Sequence, residues 1–299
     1  MAKVSVYIPA YNVAEFLSKS IESLLAQTFP ADEILVIDDG SRDASPEIAA
    51  RYPQVTLIRH ERNRGLAAAR NTAFQSARNE FVASLDADCV ADPDWLASLV
   101  GHFSDPKIAG AGGRLIEGVR RSVADRWRCA HMSQEWGADP IDDPQFLFGC
   151  NNLFRKSAVL EAGGYDEAMR TNGEDADLSR RLHDRGWKLF YEPAARATHL
   201  RHDNIRTILD AYWRWLFYSS KWYPKGIGLV TIFGYAVMIH FRYMFRTLVA
   251  RDLRARRFEL LGIDFLTLFY FPYREFGLWK ISRTNPSALP SHIPQRPAG

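Results

Sequence analysis

Asp86 and Asp88 stand one residue apart, directly after the strand-like segment Phe81 to Leu85. In extended chain, residues two apart point the same way, so both carboxylates can face one crevice. Two close carboxylates repel unless a cation lies between them or one is protonated. A divalent ion shared with a diphosphate removes the conflict, because Mg2+ and its relatives take one or two protein carboxylates plus phosphate oxygens. A second acidic loop, Asp38-Asp39-Gly40-Ser41, follows Ile34 to Ile37. One of its carboxylates could accept a hydrogen bond from a base N–H or a ribose hydroxyl. Equally, the loop could be a turn in which Ser41 caps the next helix and no ligand binds.

Three further positions bear chemistry. Gly173-Glu174-Asp175-Ala176-Asp177 opens a helix. The macrodipole favours acids in a first turn, which suffices for Asp177, whereas Asp175 could also serve as a general base if an acceptor hydroxyl comes within hydrogen-bond reach. Arg70 lies in the small-residue stretch Asn63 to Asn71; it is either a phosphate contact or a surface arginine, and that helix N-terminus could itself cradle phosphate. His199 ends a late extended segment as either a metal ligand or a structural histidine.

The elements that must position these residues alternate. Strands are predicted at Val4 to Ile8, Ile34 to Ile37, Val55 to Arg59 and Phe81 to Leu85, with helices at 13–27, 45–51 and 65–77 between them. Such alternation predicts βαβ units and a parallel sheet with right-handed crossovers. The acidic loops then fall at the carboxyl ends of strands, where open α/β sheets bind ligands. Beyond residue 93 the spacing predicts helices at 94–103, 119–137 and about 174–185, a broken strand over 146–155 and extended chain over 188–200.

Net charge is +3 over 299 residues, yet residues 201–299 hold 15 Lys and Arg against 6 Asp and Glu. That basic end is also aromatic. Residues 205–223 read as a helix. Gly226 to Phe241 and Phe258 to Tyr273 are apolar, flanking Arg242, Arg246, Arg251, Arg254, Arg256 and Arg257. Both stretches are shorter than the roughly 20 residues of a spanning helix. They read as in-plane or re-entrant membrane helices, or else as core helices packed on the sheet. Arginines interleaved with apolar runs suit lipid better than a nucleic acid, which is not expected as a partner. Cys89, Cys129 and Cys150 lack CxxC spacing, and the N-terminus lacks a signal-like apolar core, so a reduced, cytoplasmic setting is expected. The chain divides into 1–204, a helical membrane-associating region 205–282, and a proline-rich tail 283–299 expected to be disordered. No GxxxxGK[ST], GxSxG or HExxH motif is present, which argues against P-loop NTPases, common esterases and zincins.

VSVYIPAYN (4–12), IDDGSRD (37–43), NRGLAAARN (63–71), LDADC (85–89), GCNNLFR (149–155), GGYDE (163–167) and GEDADLSRRL (173–182) follow one another in order. In this order and spacing the sequence resembles the family 2 glycosyltransferases of GT-A fold, over residues 3–200. The resemblance implies a Rossmann-like, mostly parallel sheet flanked by helices. It implies that Pro9, Ala10 and Tyr11 line a nucleotide pocket, that Asp39 meets the base, that Arg70 lies near the donor and that Asp86 lies on its ribose or sugar side. Asp88 would bind Mg2+ or Mn2+. His199 would join it, with His202 as competitor. Gly149, Asn151, Asn152 and Glu174 would form the acceptor side, and Asp175 would be the base.

The expected activity is inverting transfer of a single sugar from a nucleotide-diphosphate sugar, UDP-linked by preference, to a hydroxyl of a glycan or lipid-linked acceptor at the cytoplasmic membrane face. The processive synthases' QxxRW motif is missing; Trp213-Arg214-Trp215 lacks the preceding Gln. The alternatives are an inactive nucleotide-sugar-binding protein and, less well matched, a sugar-phosphate nucleotidyltransferase. The latter should carry a Gly-rich loop where this chain has Pro9-Ala10-Tyr11-Asn12.

Overall fold

The structure, a computed structural model, describes residues 2–169, 172–219 and 237–284. The chain forms two compact units. One comprises Met1–Gly118 and Ser133–Arg201, the other Val119–Met132 and His202–Gly299.

The elements are β1 (Val4–Ala10), α1 (Leu17–Leu25), β2 (Glu33–Asp38), α2 (Ser45–Ala49), β3 (Val55–Arg59), α3 (Leu66–Ser76), β4 (Phe81–Leu85), β5 (Cys89–Ala91), α4 (Trp95–Val100), β6 (Ile108–Glu117), α5 (Val123–His131), β7 (Ile141–Asp142), β8 (Asn151–Arg155), α6 (Lys156–Glu161), α7 (Glu174–His183) and β9 (Lys188–His199). Helices α8 (Ile205–Ser219), α9 (Val237–Tyr243), α10 (Ala250–Arg254) and α11 (Leu261–Thr284) follow. The strands form one sheet in the order β3-β2-β1-β4-β8-β6-β9-β5, with β7 also on β9. Strands β1, β2, β3, β4, β6 and β9 run one way; β5, β7 and β8 run against them.

The continuous apolar runs are explained by burial on both faces. Val4, Val6, Ile8, Ile34 and Val36 pack on one side with Leu17, Ile21 and Leu24 of α1 and Trp95 and Leu96 of α4. Tyr7, Leu35 and Ile37 pack on the other with Ala67, Ala73 and Phe74 of α3 and Leu178 and Leu182 of α7. Successive strand residues alternate between the layers, as a pleated chain requires. Chain order reverses where β4 returns beside β1, so the crevice beyond their carboxyl ends is a topological switch point. β4 pairs with β1 only from Val4 to Tyr7. Pro9 therefore sits where the ladder is one-sided and its missing N–H costs least.

Two expectations need correction. The strand expected to start at Phe146 begins at Asn151, and the stretch Gly110 to Gly113, which gave no strand signal, lies within the ten-residue strand β6. A Cβ on Gly110 would meet the Phe154 ring at 2.3 Å, and one on Gly113 would meet Ala195 O at 2.0 Å. Glycine there permits close approach of neighbouring chain rather than a turn.

The second unit has its own core of Trp127, Ile208, Tyr212, Trp213, Met244, Leu248, Leu260, Ile263 and Phe271. Helix α5 starts at a capping box: Ser122 Oγ accepts Asp125 N–H at 2.9 Å and Asp125 Oδ2 accepts Ser122 N–H at 2.8 Å. A π-helical stretch, Met244–Val249, joins α9 to α10. Among the described residues no helix is long and apolar enough to cross a membrane. Most of the apolar window Gly226 to Phe241, and nearly all of the proline-rich tail, lie outside the described residues.

Candidate active site

The loops after β1 and β2 are stitched together by short side chains. Asn12, at φ 53°, donates its N–H to Ser41 Oγ (2.9 Å) and accepts Arg42 N–H on Oδ1 (2.8 Å). Val13 N–H reaches Ser45 Oγ and Ala14 N–H reaches Asp43 Oδ2. The Gly-Ser turn thus binds the preceding loop as well as ending a strand. Pro9 and Ala10 are buried, and Tyr11, next after β1, is 45% exposed.

Asp39 is nearly buried. It accepts the N–H groups of Arg64 (2.8 Å) and Gly65 (2.7 Å) where α3 begins, and its Oδ1 lies 2.7 Å from His60 Nδ1. A carboxylate offers about four acceptor positions; three are occupied, leaving room for one more donor. His60, which the sequence did not single out, is braced by Thr72 Oγ1 at 2.9 Å.

Arg70 is 2% exposed and therefore not a surface arginine. Its Nη1 donates to Glu174 Oε1 at 2.7 Å, its Nη2 stands 3.6 Å from Asp86 Oδ1, and its guanidinium lies over the Tyr165 ring. A Cβ on Gly149 would fall 2.1 Å from Nη1, so glycine is the residue that lets this guanidinium reach the crevice. Burial pushes the Glu174 carboxyl up against the pull of Arg70, with Asp175 adding to the rise.

The Asp86-Ala87-Asp88 segment is a tight turn, closed by Cys89 N–H on Asp86 O at 3.0 Å, rather than the extended chain expected. It places the two acids near a third element all the same. Leu200 N–H bonds Asp88 O at 2.8 Å, and Cys89 pairs with His199. As a result His199 Nε2 stands 3.1 Å from Asp88 Oδ2, while its Nδ1 stands 3.0 Å from Glu117 Oε2. Burial disfavours charge on both Asp88 and His199, but their mutual attraction prevails: Asp88 is held down at about 2 and His199, with Glu117 helping, is raised to about 9. Asp86 is pushed up to about 6, first by burial and then by the charges of Asp88 and Asp175, with Arg70 and His199 opposing. Its Oδ1 has no hydrogen-bond donor.

This donor set fits a divalent ion. It offers one ionised aspartate, a buried carboxylate oxygen without a donor among the described residues, and an imidazole nitrogen that becomes a ligand once an ion displaces the proton it shares with Asp88, its second nitrogen being fixed by a carboxylate as metal-binding histidines commonly are. Asp88 and His199 could hold such an ion with Asp86 beside it. Glu117 was missed in the sequence because nothing marked β6 as a strand.

Asp175 lies in the first turn of α7, after Gly173 at φ 96°. Its Oδ2 accepts Gly149 N–H at 3.0 Å and its Oδ1 accepts Ala176 N–H at 2.8 Å. Asp177 pairs with Arg180 and Arg181, the surface role its position suggested. Asn152 donates to Phe148 O at 2.9 Å and keeps a buried Oδ1 without a donor. Asn151 instead turns into the core: it accepts from Trp95 Nε1 at 2.6 Å and donates to Arg114 O and Ala195 O. The structure therefore gathers Arg70, Asp86, Asp88, Gly149, Glu174, Asp175 and His199. Asp39 holds the start of α3, the helix that carries Arg70, and Asn151 serves the core instead. His202 begins the second unit; the imidazole that meets Asp88 is His199.

The family model described as "Glycosyl transferase family 2" matches residues 5–161. The "Pre-mycofactocin glycosyltransferase" of Mycobacterium tuberculosis is 32% identical over 232 residues, covering 75% of this chain and 47% of that protein. The "Poly-beta-1,6-N-acetyl-D-glucosamine synthase" of Staphylococcus aureus is 28% identical over 223 residues, covering 71% of this chain and 53% of that protein. The chain thus spans about half the length of these curated relatives. Among solved structures, the mannosyltransferase PcManGT from Pyrobaculum calidifontis, in complex with GDP-Man and Mn2+, has a similar fold: TM-score 0.52, 20% identity, 97% of this chain and 77% of that one. With the motifs in order, the crevice at the switch point and a family match over more than half its length, the chain belongs to glycosyl transferase family 2.

Proposed function

We propose that this chain is a metal-dependent, inverting glycosyltransferase. It moves one sugar from a nucleotide-diphosphate sugar, UDP-linked by preference, to a hydroxyl of a lipid-linked or envelope glycan acceptor. The supporting observation is a chain of contacts: Arg70 Nη2 lies 3.6 Å from Asp86 Oδ1 and its guanidinium lies against Gly149, whose N–H donates to Asp175, while His199 Nε2 lies 3.1 Å from Asp88 Oδ2.

In this reading Tyr11 and Asp39 hold the nucleotide and Arg70 offsets charge near the donor. Asp88 and His199 hold Mg2+ or Mn2+, which when bound supplies Lewis-acid stabilisation of the departing diphosphate. Asp175 takes the proton of the acceptor hydroxyl as that oxygen attacks the anomeric carbon from the opposite face. A single in-line displacement inverts the configuration and needs no covalent enzyme intermediate. The deciding experiment is a thermal-shift screen of UDP-, GDP- and dTDP-sugars with and without Mn2+, followed by donor hydrolysis. Stabilisation that needs both donor and ion, followed by turnover, supports the reading. Binding without turnover would favour an inactive nucleotide-sugar-binding protein, and no response to any donor would overturn both.

The helical unit is proposed to rest on the anionic cytoplasmic membrane face. Phe269 is 73% exposed, Tyr273 70% and Phe258 61%, and Arg251, Arg254 and Arg256 are exposed in the same unit. Apolar and basic side chains together suit an anionic lipid surface. Sedimentation with phosphatidylglycerol vesicles at low salt should carry the protein down; protein left in the supernatant would remove the membrane from the proposal.

A further inference from the structure

The second unit buries a polar cluster for which the transfer chemistry has no use. His131 ends α5, Asp252 lies in α10 and Asp264 in the first turn of α11. The Asp252 and Asp264 side chains are 0% exposed and that of His131 is 1% exposed. His131 Nε2 stands 2.9 Å from Asp252 Oδ2 and 4.0 Å from Asp264 Oδ1. One ligand atom from each residue lies within 4.8 Å of the other two.

The hydrogen bonding around the cluster is incomplete. Trp127 Nε1 donates to Asp264 Oδ1 at 2.7 Å, and this indole also packs on the His131 ring. Among the described residues Asp264 Oδ2 and Asp252 Oδ1 receive no hydrogen bond, and the cation beside Asp252 Oδ1, Arg257 Nη1, is 3.9 Å away. Buried carboxylates are rarely left so; they are paired or they coordinate a metal. A π-helical stretch ends at Val249, three residues before Asp252, and such segments recur at functional sites.

We propose that His131, Asp252 and Asp264 form a second, structural cation site, best suited to Zn2+, which clasps α5, α10 and α11. Zn2+ takes imidazole nitrogen and carboxylate oxygen at about 2.0–2.2 Å, so ligand atoms sharing it stand roughly 3.3 Å apart, between the two spacings observed. Asp252 Oδ1 and Asp264 Oδ2, the second oxygens of the same two carboxylates, have no donor among the described residues, so each buried carboxylate is left undercompensated without an ion. The ion neutralises one carboxylate more than Arg257 alone can, and a fully buried site would be filled as the unit folds. The site is independent of the reading of the crevice.

The test isolates this site by working in the Asp88→Ala chain, full length, with metal content measured by plasma mass spectrometry after unfolding and refolding with Zn2+ and exhaustive dialysis. A retained equivalent of Zn2+ is expected, lost on adding Asp264→Asn, which keeps the oxygen that accepts from Trp127. The Tm of the Asp88→Ala chain should rise with Zn2+, and that rise should vanish with Asp264→Asn. His131→Gln serves as a second variant should the first fold poorly. Equal Zn2+ with and without the substitutions, or no Zn2+ retained by the Asp88→Ala chain, would overturn the proposal. The latter would mean that a shared proton holds the cluster together.

Discussion

Glu174 Oε1 lies 2.7 Å from Arg70 Nη1, and both side chains are almost wholly buried. Burying either charge alone is costly, and removing one partner of such a pair destabilises by about 3–5 kcal/mol because the other is left uncompensated. Glu174→Ala is therefore expected to lower the free energy of unfolding by roughly that amount, read as an earlier urea midpoint at unchanged slope. Asp86 offers Arg70 partial compensation at 3.6 Å, so the loss should fall at the lower end. A midpoint within error of wild type would show that the pair contributes nothing to holding the crevice together.

Glu117 holds His199 by Nδ1, so in the proposed metal site it would act on the ion through that histidine. Outer-shell carboxylates of this kind typically change metal affinity about 10- to 100-fold. Glu117→Gln keeps an acceptor for the ring and loses the charge, so Mn2+ affinity should fall toward the lower end of that range. Asp88→Ala should remove metal-dependent donor binding altogether. Calorimetric Mn2+ titration distinguishes the two, and an unchanged affinity in Glu117→Gln would show that the Glu117 charge does not reach the ion through His199.

Much of this site was legible in the sequence, for a definite reason. The run Ile34 to Ile37 of β2 is apolar throughout, and β4 nearly so, because both faces of the sheet are covered, and an acidic loop after such a run has little to do but face the crevice. The turn at Asp86–Cys89 was read as extended chain because residue spacing alone does not separate the two. Strand β6 was invisible because its glycines fit against Phe154 and Ala195, contacts far away in sequence. Glu117 was hidden with it. Arg70 read as either ligand or surface because its burial depends on Gly149, Glu174 and Tyr165, each supplied by another element. Likewise, α5 is legible as a helix, but its grouping with the C-terminal helices rests on long-range contacts of Trp127 and His131 that no local pattern carries.

Asp175 is held by Gly149 N–H on one oxygen and by the start of its own helix on the other. That fixes the carboxylate without removing its capacity to accept a further proton. Asp175→Asn keeps size and one acceptor but cannot act as a base, so turnover should fall by about 10²–10⁴-fold, the usual contribution of a general base. Donor-dependent thermal stabilisation should be unchanged. Near wild-type turnover in Asp175→Asn would move the base to another residue, whereas loss of donor stabilisation would make Asp175 a binding residue.

His240 gives the helical unit a pH dependence of its own. Its Nε2 lies 3.1 Å from Thr267 Oγ1 and its ring stacks on Phe271 at 4.1 Å. Among the described residues no anion raises its basicity, and burial pushes it down from 6.5 to about 4. Above pH ~6.5 the ring is neutral in both folded and unfolded chain and costs nothing. Between that value and about 4, the unfolded chain takes up a proton that the folded chain refuses. Stability must then fall as pH drops through this window, and the slope from this group vanishes below it. His240→Gln removes the proton acceptor while keeping a hydrogen-bonding group for Thr267. The variant's Tm should therefore fall less steeply than wild type from pH 6.5 toward 4, and the two curves should run parallel above pH ~7. Parallel curves through the acid window would mean that His240 is hydrated in solution and that the Phe271 contact does not exclude water.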